Sequence, residues 1–473
     1  MKKGEISIGL VGDTVFPDKG YIEREDGRVA IKHAIGGQKV EYCITKKRAG
    51  EAQGRVLRVL EPSSVEDREN LCNFAGICGG CLYQSVGYQH QLDIKEEQLK
   101  RLLKDEEFIW EGIQASPAVE GYRNKMEFSF GDSYKDGPLA LGMHKRGSHY
   151  DIVTSDSCQI VHMDFNVILR ATLAFFAEAG IPYLHKLTHS GFLRHLLIRR
   201  SAKSGEILVD LITTTSFGKI EDPNREEYIP PIDEEAKKII KEWKDVVRKL
   251  EDDGKIEGRI AGILHTVNNS YADAVIDQGT SILYGQDFIT ENLLGLDFKI
   301  TPFSFFQTNS LGAELLYQVA GRYIGDTQGK AVFDLYSGTG TIAQLLAGVA
   351  QEVYGVEIVE EAVRAARENA KKNGIDNCTF IAGDVLKVID DLQTRPDIIV
   401  LDPPREGIHP KALPKIMEYQ AERIVYISCK PSSLARDILV LKEGGYHLKK
   451  ACAVDMFPFT ANCEAVALFE KMR

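Results

Sequence analysis

At 473 residues, with 44% hydrophobic and 27% charged side chains, the chain has the balance of a globular protein long enough for about three domains. It contains no apolar run of the ~20 residues that a bilayer span needs, and its start, MKKGEISIGLVGDT, lacks the apolar stretch of an export signal; the expectation is a cytoplasmic protein with no membrane attachment. The formal net charge of −11 argues against a uniformly basic nucleic-acid surface, yet residues 1–58 carry twelve Lys and Arg against eight Asp and Glu, and binding follows local charge.

Residues 6–60 alternate short apolar runs (ISIGLVG, RVAIKHAI, KVEYCITKK, GRVLRVL) with Gly, Asp or Lys turns, which predicts a small antiparallel barrel. EPSSVEDREN (61–70) reads as a polar linker. A glycine-rich loop with three cysteines follows, then YQHQLDIKEEQLKRLLKD, whose Leu92, Ile94, Leu99, Leu102 and Leu103 fall near helical spacing. Strand patterns return over 122–215, and IDEEAKKIIKEWKDVVRKLED (232–252) reads as an amphipathic helix.

From residue 330 strands alternate with helices: AVFDLY, IAQLLAGVA, VYGVE, EEAVRAARENAKKNG, CTFIAGD, DIIVLD, RIVYIS. That order predicts a doubly wound parallel sheet with a ligand at the carboxyl ends of its strands. HLKKACAVDMFP and CEAVALFEK are expected to close one edge.

DLYSGTGTIA places Gly338 and Gly340 in the first strand-to-helix turn, where backbone can approach a ligand. The turn fits a dinucleotide pattern, with Glu357 at the next strand end to take ribose hydroxyls. Asp334 before the turn and LDPPREG (401–407) at the fourth strand end, which hydride transfer does not need, favour S-adenosylmethionine over a nicotinamide cofactor. Asp384 is placed to reach an adenine amino group. Cys429, in YISCKPSSLARD, ends a strand and precedes a helix opened by Pro431, a setting expected to lower its pKa and make it a nucleophile. Glu464 interrupts an apolar strand, where burial would raise its pKa towards that of a general base.

CNFAGICGGC supplies Cys72, Cys78 and Cys81, and Cys158 can be a fourth ligand; four thiolates suit zinc or an iron–sulfur cluster.

Together these stretches, with YRNKMEFSF, GFLRHLLIRRS, TPFSFFQTNS and FPFTANCEAV, resemble the successive motifs of the RNA uracil-5-methyltransferase family over nearly the whole chain. The resemblance implies an α/β fold with three domains: a TRAM RNA-binding barrel over 1–60, a central mainly β domain over 61–300, and a class I, Rossmann-like methyltransferase domain over 301–473. It implies S-adenosyl-L-methionine held by Gln307, Tyr336, Glu357, Asp384 and Asp402, with Cys429 as nucleophile towards carbon 6 of uracil and Glu464 as base. It further implies a [4Fe-4S] cluster on Cys72, Cys78, Cys81 and Cys158, the ligand set of the ribosomal-RNA members, and so 23S rRNA rather than tRNA as substrate; a monomer is expected. Arg123, Lys125, Arg194, Arg199 and Arg200 are candidates for holding phosphates. Two departures stand out: Asn462 replaces a histidine common two residues before the glutamate, and the charged segment 220–257 is long for the family. A cytosine-5 RNA methyltransferase would carry its thiol where Pro404 stands, and a non-catalytic RNA-binding protein would not need Cys429, Glu464 and Asp402 together.

Overall fold

The computed structural model describes the chain except residues 49–50, 221–229, 389–391, 393 and 473; nine residues of the charged segment 220–257 thus lie outside the described residues. The chain divides into two compact units, one formed by 1–71, 81–117 and 314–473, the other by 72–80 and 118–313. No described helix is long and apolar enough to cross a membrane.

In the first unit the N-terminal strands, Ile6–Leu10 to Glu51–Glu61, form a six-stranded sheet. Alternation of apolar and polar residues gives it one buried face, with Val11, Ile22, Val29, Ile31, Val40, Tyr42 and Ile44 in its core. The linker after it is anchored by Glu66, which accepts from Gln38 Nε2 (2.8 Å) and Ser85 Oγ (2.6 Å).

The C-terminal part of the same unit is an eight-stranded sheet. Five parallel strands run in the spatial order Cys378–Ala382, Glu352–Glu357, Ala331–Leu335, Ile398–Leu401, Arg423–Ser428. Near-continuous apolar runs such as IIVL suit strands covered on both faces. Antiparallel strands Glu464–Lys471 and Tyr446–Val454 extend the sheet. They do not close the edge as expected: Ile109–Gln114, from far upstream, pairs in parallel beyond Tyr446–Val454. The helix Tyr88–Leu102 precedes that strand and buries Leu92, Lys95 and Leu99.

The second unit holds a seven-stranded sheet from Lys125–Asp132 to Thr280–Gly285, mainly antiparallel, with one parallel pair, Glu206–Thr213 with Arg259–Val267. The helix Glu234–Asp252 buries Ala236, Ile240, Trp243, Val247 and Leu250, the apolar stripe that its period predicts.

Candidate active site

The first unit's parallel strands end together. Register sets Leu335 beside Val356 and Leu401, and Leu401 beside Tyr426, so the turns that follow open on one side of the sheet. The turn after Ala331–Leu335 is tight: Tyr336 has φ 71°, Gly338 54° and Gly340 73°. Tyr336 and Ser337 N–H both donate to Val356 O (2.9 and 3.0 Å). Glycine at 340 serves packing rather than ligand approach, since a Cβ there would lie 2.5 Å from the Phe380 ring.

Four carboxyl groups meet at these strand ends. Asp334 is buried and takes the Ala343 N–H on Oδ2 (3.0 Å), while its Oδ1 has no partner among the described residues. Burial, then the charges of Asp402 and Glu357, push Asp334 up to about 8. Glu357 is held by two backbone donors, Gly338 N–H at 3.0 Å and Val359 N–H at 2.9 Å. Asp384 caps the next turn by accepting from Leu386 N–H at 3.0 Å. Asp402, one residue past the strand Ile398–Leu401, is raised by burial to about 7. Tyr336 is pushed up to about 12 by burial and by the charges of Asp384 and Asp437.

Cys429 follows the strand Arg423–Ser428, and Glu464 begins the antiparallel strand beside it. Ser428 pairs with Ala465 at the end of that register, so Cys429 and Glu464 adjoin the same pair. Glu464 is buried, and burial, with the Asp402 charge, raises it to about 8 while Arg405 pulls it down. The Cys429 thiol is not lowered, contrary to the expectation from Lys430 and Pro431. Burial, Glu464 and Asp402 push it up to about 11, and Arg405 opposes them incompletely. Burial first, then the charges of Glu464 and Asp402, outweigh a helix start and a neighbouring lysine here.

Residues that sequence reading passed over hold the loop 402–408. Ser433 Oγ donates to Arg405 O (2.9 Å), Arg436 Nη2 to Glu406 O (3.0 Å), and Asp437 Oδ2 accepts from Ile408 N–H (3.1 Å) and Tyr426 O–H (2.8 Å). All three helix residues lie in the quoted SSLARD, and their spacing of three and four puts them on one face.

The remaining predicted residues are distributed differently. Gln307 belongs to the second unit, where Asn124 Nδ2 donates to its carbonyl (3.0 Å) and Arg199 grips the same loop through Pro302 O and Ser304 O. Arg199 and Arg194 are buried structural donors, not phosphate ligands. Arg194 spends its guanidinium on Asn268 O, Ser270 O and Ala272 O at 2.5–2.8 Å. Arg200 pairs with Asp164 (2.9 Å) and Lys125 with Glu127 (2.6 Å), and Arg123 Nε donates to Lys125 O (3.1 Å).

Cys72, Cys78 and Cys158 lie in the second unit and Cys81 in the first. Burial raises Cys158 to about 11, with added repulsion from Cys72 and Cys78. Among the described residues, however, no group of three or more His, Cys, Asp or Glu is gathered in a way that could hold a metal ion; the expected ligand set is not assembled.

Comparison with known proteins places these features in context. The profile of the tRNA (uracil-5-)-methyltransferase family matches residues 236–472. The chain is 43% identical to an RNA methyltransferase of Clostridium tetani, covering 98% of each protein, and 42% identical to one of Caldanaerobacter subterraneus subsp. tengcongensis, covering 100% of each. Among solved structures, Pyrococcus abyssi tRNA (uracil-54, C5)-methyltransferase in complex with S-adenosyl-L-homocysteine is 25% identical, with a TM-score of 0.72 over 98% of this chain and 99% of that one.

Proposed function

The chain belongs to the RNA uracil-5-methyltransferase family, and from that premise we propose that it methylates carbon 5 of a uridine in 23S rRNA through transient addition of Cys429 to carbon 6. It is an S-adenosylmethionine-dependent enzyme with a class I methyltransferase fold.

The donor set suits such a cofactor. A sulfonium is cationic, and the strand ends present Asp334, Asp402 and Glu464, carboxyls whose protons are held high by burial, with the Asp402 charge adding to it at Asp334 and Glu464; a nearby cation would favour their ionised forms. Glu357, fixed by two backbone N–H groups, would take ribose hydroxyls, and Tyr336, Asp384 and Asp402 of the same unit would complete its part of the site; the role of Gln307 is carried by the family resemblance alone. The cofactor supplies an electrophilic methyl group.

Carbon 5 of uracil is a weak nucleophile, and Cys429 activates it. As sulfur bonds to carbon 6, the thiol proton passes to the Asp402 carboxylate, which returns it to the sulfur when Cys429 is released, so Glu464 stays ionised; the carbon 5–carbon 6 π electrons move onto carbon 4 oxygen as an enolate. Carbon 5 then takes the methyl group. Glu464 removes the carbon 5 proton, the double bond re-forms, and the carbon 6–sulfur bond breaks to free Cys429. The observation that supports this reading is that Cys429 and Glu464 adjoin the same Ser428–Ala465 pair, with the Glu464 charge acting on the Cys429 thiol. The base must leave its stack to reach them, so a flipped or loop uridine is the substrate.

The N-terminal sheet is read as a TRAM-type RNA-binding module on its excess of Lys and Arg over acids. The cysteines are read as [4Fe-4S] ligands on donor chemistry alone: Cys72, Cys78 and Cys158 repel as thiolates, and iron would relieve that. No step of the reaction runs through the cluster.

A second reading, a tRNA uridine as target, is favoured by the similarity to the P. abyssi tRNA enzyme. Mapping 5-methyluridine in RNA from cells lacking the protein separates the two. Loss of one 23S rRNA methyl group, restored by the parent gene and not by Cys429→Ala, supports the first; loss confined to tRNA supports the second.

A further inference from the structure

The loop 455–463 delivers Glu464 to the site, and it is held from the side by a buried ion pair that the reaction itself does not use. Lys95, on the helix Tyr88–Leu102, and Asp455 are both fully buried, with Lys95 Nζ 2.7 Å from Asp455 Oδ1. Removing two charges from water is costly, and an apolar pair of similar size would fill the same space without that cost. Such a pair is retained where it defines one arrangement among several.

Here the arrangement is that of the loop. Lys95 Nζ also donates to Phe457 O (3.2 Å). The same carbonyl accepts from Thr460 N–H (3.1 Å) and Thr460 Oγ1 (2.9 Å), and Thr460 Oγ1 in turn accepts from Asn462 N–H (3.2 Å). An unbroken series of hydrogen bonds thus runs from Lys95 to the residue two positions before Glu464. The neighbouring helix residue Gln91 accepts from Phe459 N–H (2.7 Å), and Leu82 and Tyr83 N–H both donate to Phe459 O (2.9 Å). Phe459 sits at φ 64°, a left-handed conformation that a non-glycine residue adopts only when its surroundings impose it.

We infer that Lys95 and Asp455 are positioning residues for the proton-abstraction step, holding the loop 455–463 so that Glu464 stands beside Cys429. The inference rests on the catalytic reading of Glu464 above. Loss of the pair leaves Cys429 and the cofactor residues in place, so addition and methyl transfer proceed while removal of the carbon 5 proton slows. A misplacement of about 1 Å at a reacting group costs ~100-fold in rate.

The test uses the full chain and a Lys95→Met/Asp455→Leu double variant, which replaces both charges with apolar groups, with Glu464→Gln as reference and methyl-labelled S-adenosylmethionine plus cellular rRNA as probes. The expected result is a melting temperature near the parent's, unchanged cofactor affinity, a fall of roughly 10- to 100-fold in kcat, and a denaturation-resistant protein–RNA adduct like that of Glu464→Gln. Thr460→Val, at a half-buried position, interrupts the same series without touching a charge; it is expected to accumulate the adduct too, and Thr460→Ser to restore turnover. Parent-like turnover without adduct in both the double variant and Thr460→Val, while Glu464→Gln stalls, overturns the positioning role alone. Full turnover by Glu464→Gln overturns the catalytic reading beneath it.

Discussion

Cys429 directly follows, and Glu464 directly precedes, the Ser428–Ala465 pair that ends the register of two adjacent antiparallel strands. Glu464 is the largest charge acting against the Cys429 thiolate, after burial, while burial and the Asp402 charge raise Glu464, so both groups sit well above their ordinary pKa values. The nucleophile therefore rests as a thiol, and its activation depends on when charge enters or leaves the site.

Arg405 is the cation that pulls both groups down. Glu464 must be ionised to accept the carbon 5 proton, so turnover to 5-methyluridine rises with pH through about 8. Arg405→Gln removes the opposing charge and moves this rising limb to higher pH, by a margin kept small because Arg405 is exposed and screened. Rates measured from pH 6 to 10 at low and high salt check this, with the difference between parent and variant shrinking at high salt.

Asp334 has a stability signature. Its folded pKa, about 8, lies above the ordinary carboxylate value, so the folded state binds the extra proton. The stability it contributes is complete below pH ~4 and is lost as pH rises through about 8. Asp334→Asn keeps an acceptor for Ala343 N–H and cannot ionise. Urea unfolding is expected to show little change at pH 5 and a gain of about 1–3 kcal/mol at pH 9.

The cysteines give a spectroscopic prediction. Protein purified without oxygen is expected to be brown, with broad visible absorption, and Cys158→Ser to be colourless. A colourless parent with one bound zinc contradicts the iron–sulfur assignment.

Much of this site was legible in the chain because its groups are punctuated by local signals. Strand ends are marked by apolar runs that stop at Asp334, Glu357, Asp402 and Cys429, and Glu464 is conspicuous as an acid within an apolar strand. Partners chosen by tertiary packing were not legible. Ile109–Gln114 joins the sheet's far edge across more than 300 residues of chain, with nothing in IWEGIQ to announce it. Arg194 and Arg199 looked like phosphate ligands because residue type reports charge but not depth; the fold spends them on backbone carbonyls. The Cys429 pKa was misjudged for a related reason. Its helix and its lysine are sequence neighbours, whereas the burial that outweighs them comes from the fold, and the carboxylates that add to it arrive from 27 and 35 residues away, at Asp402 and Glu464.

The most direct test of the Cys429–Glu464 account is a trap. Glu464→Gln is incubated with substrate RNA and methyl-labelled S-adenosylmethionine, then resolved under denaturing conditions. A labelled protein–RNA adduct that disappears in Cys429→Ala/Glu464→Gln is the predicted result; full turnover to 5-methyluridine by Cys429→Ala, with no adduct in Glu464→Gln, would contradict it.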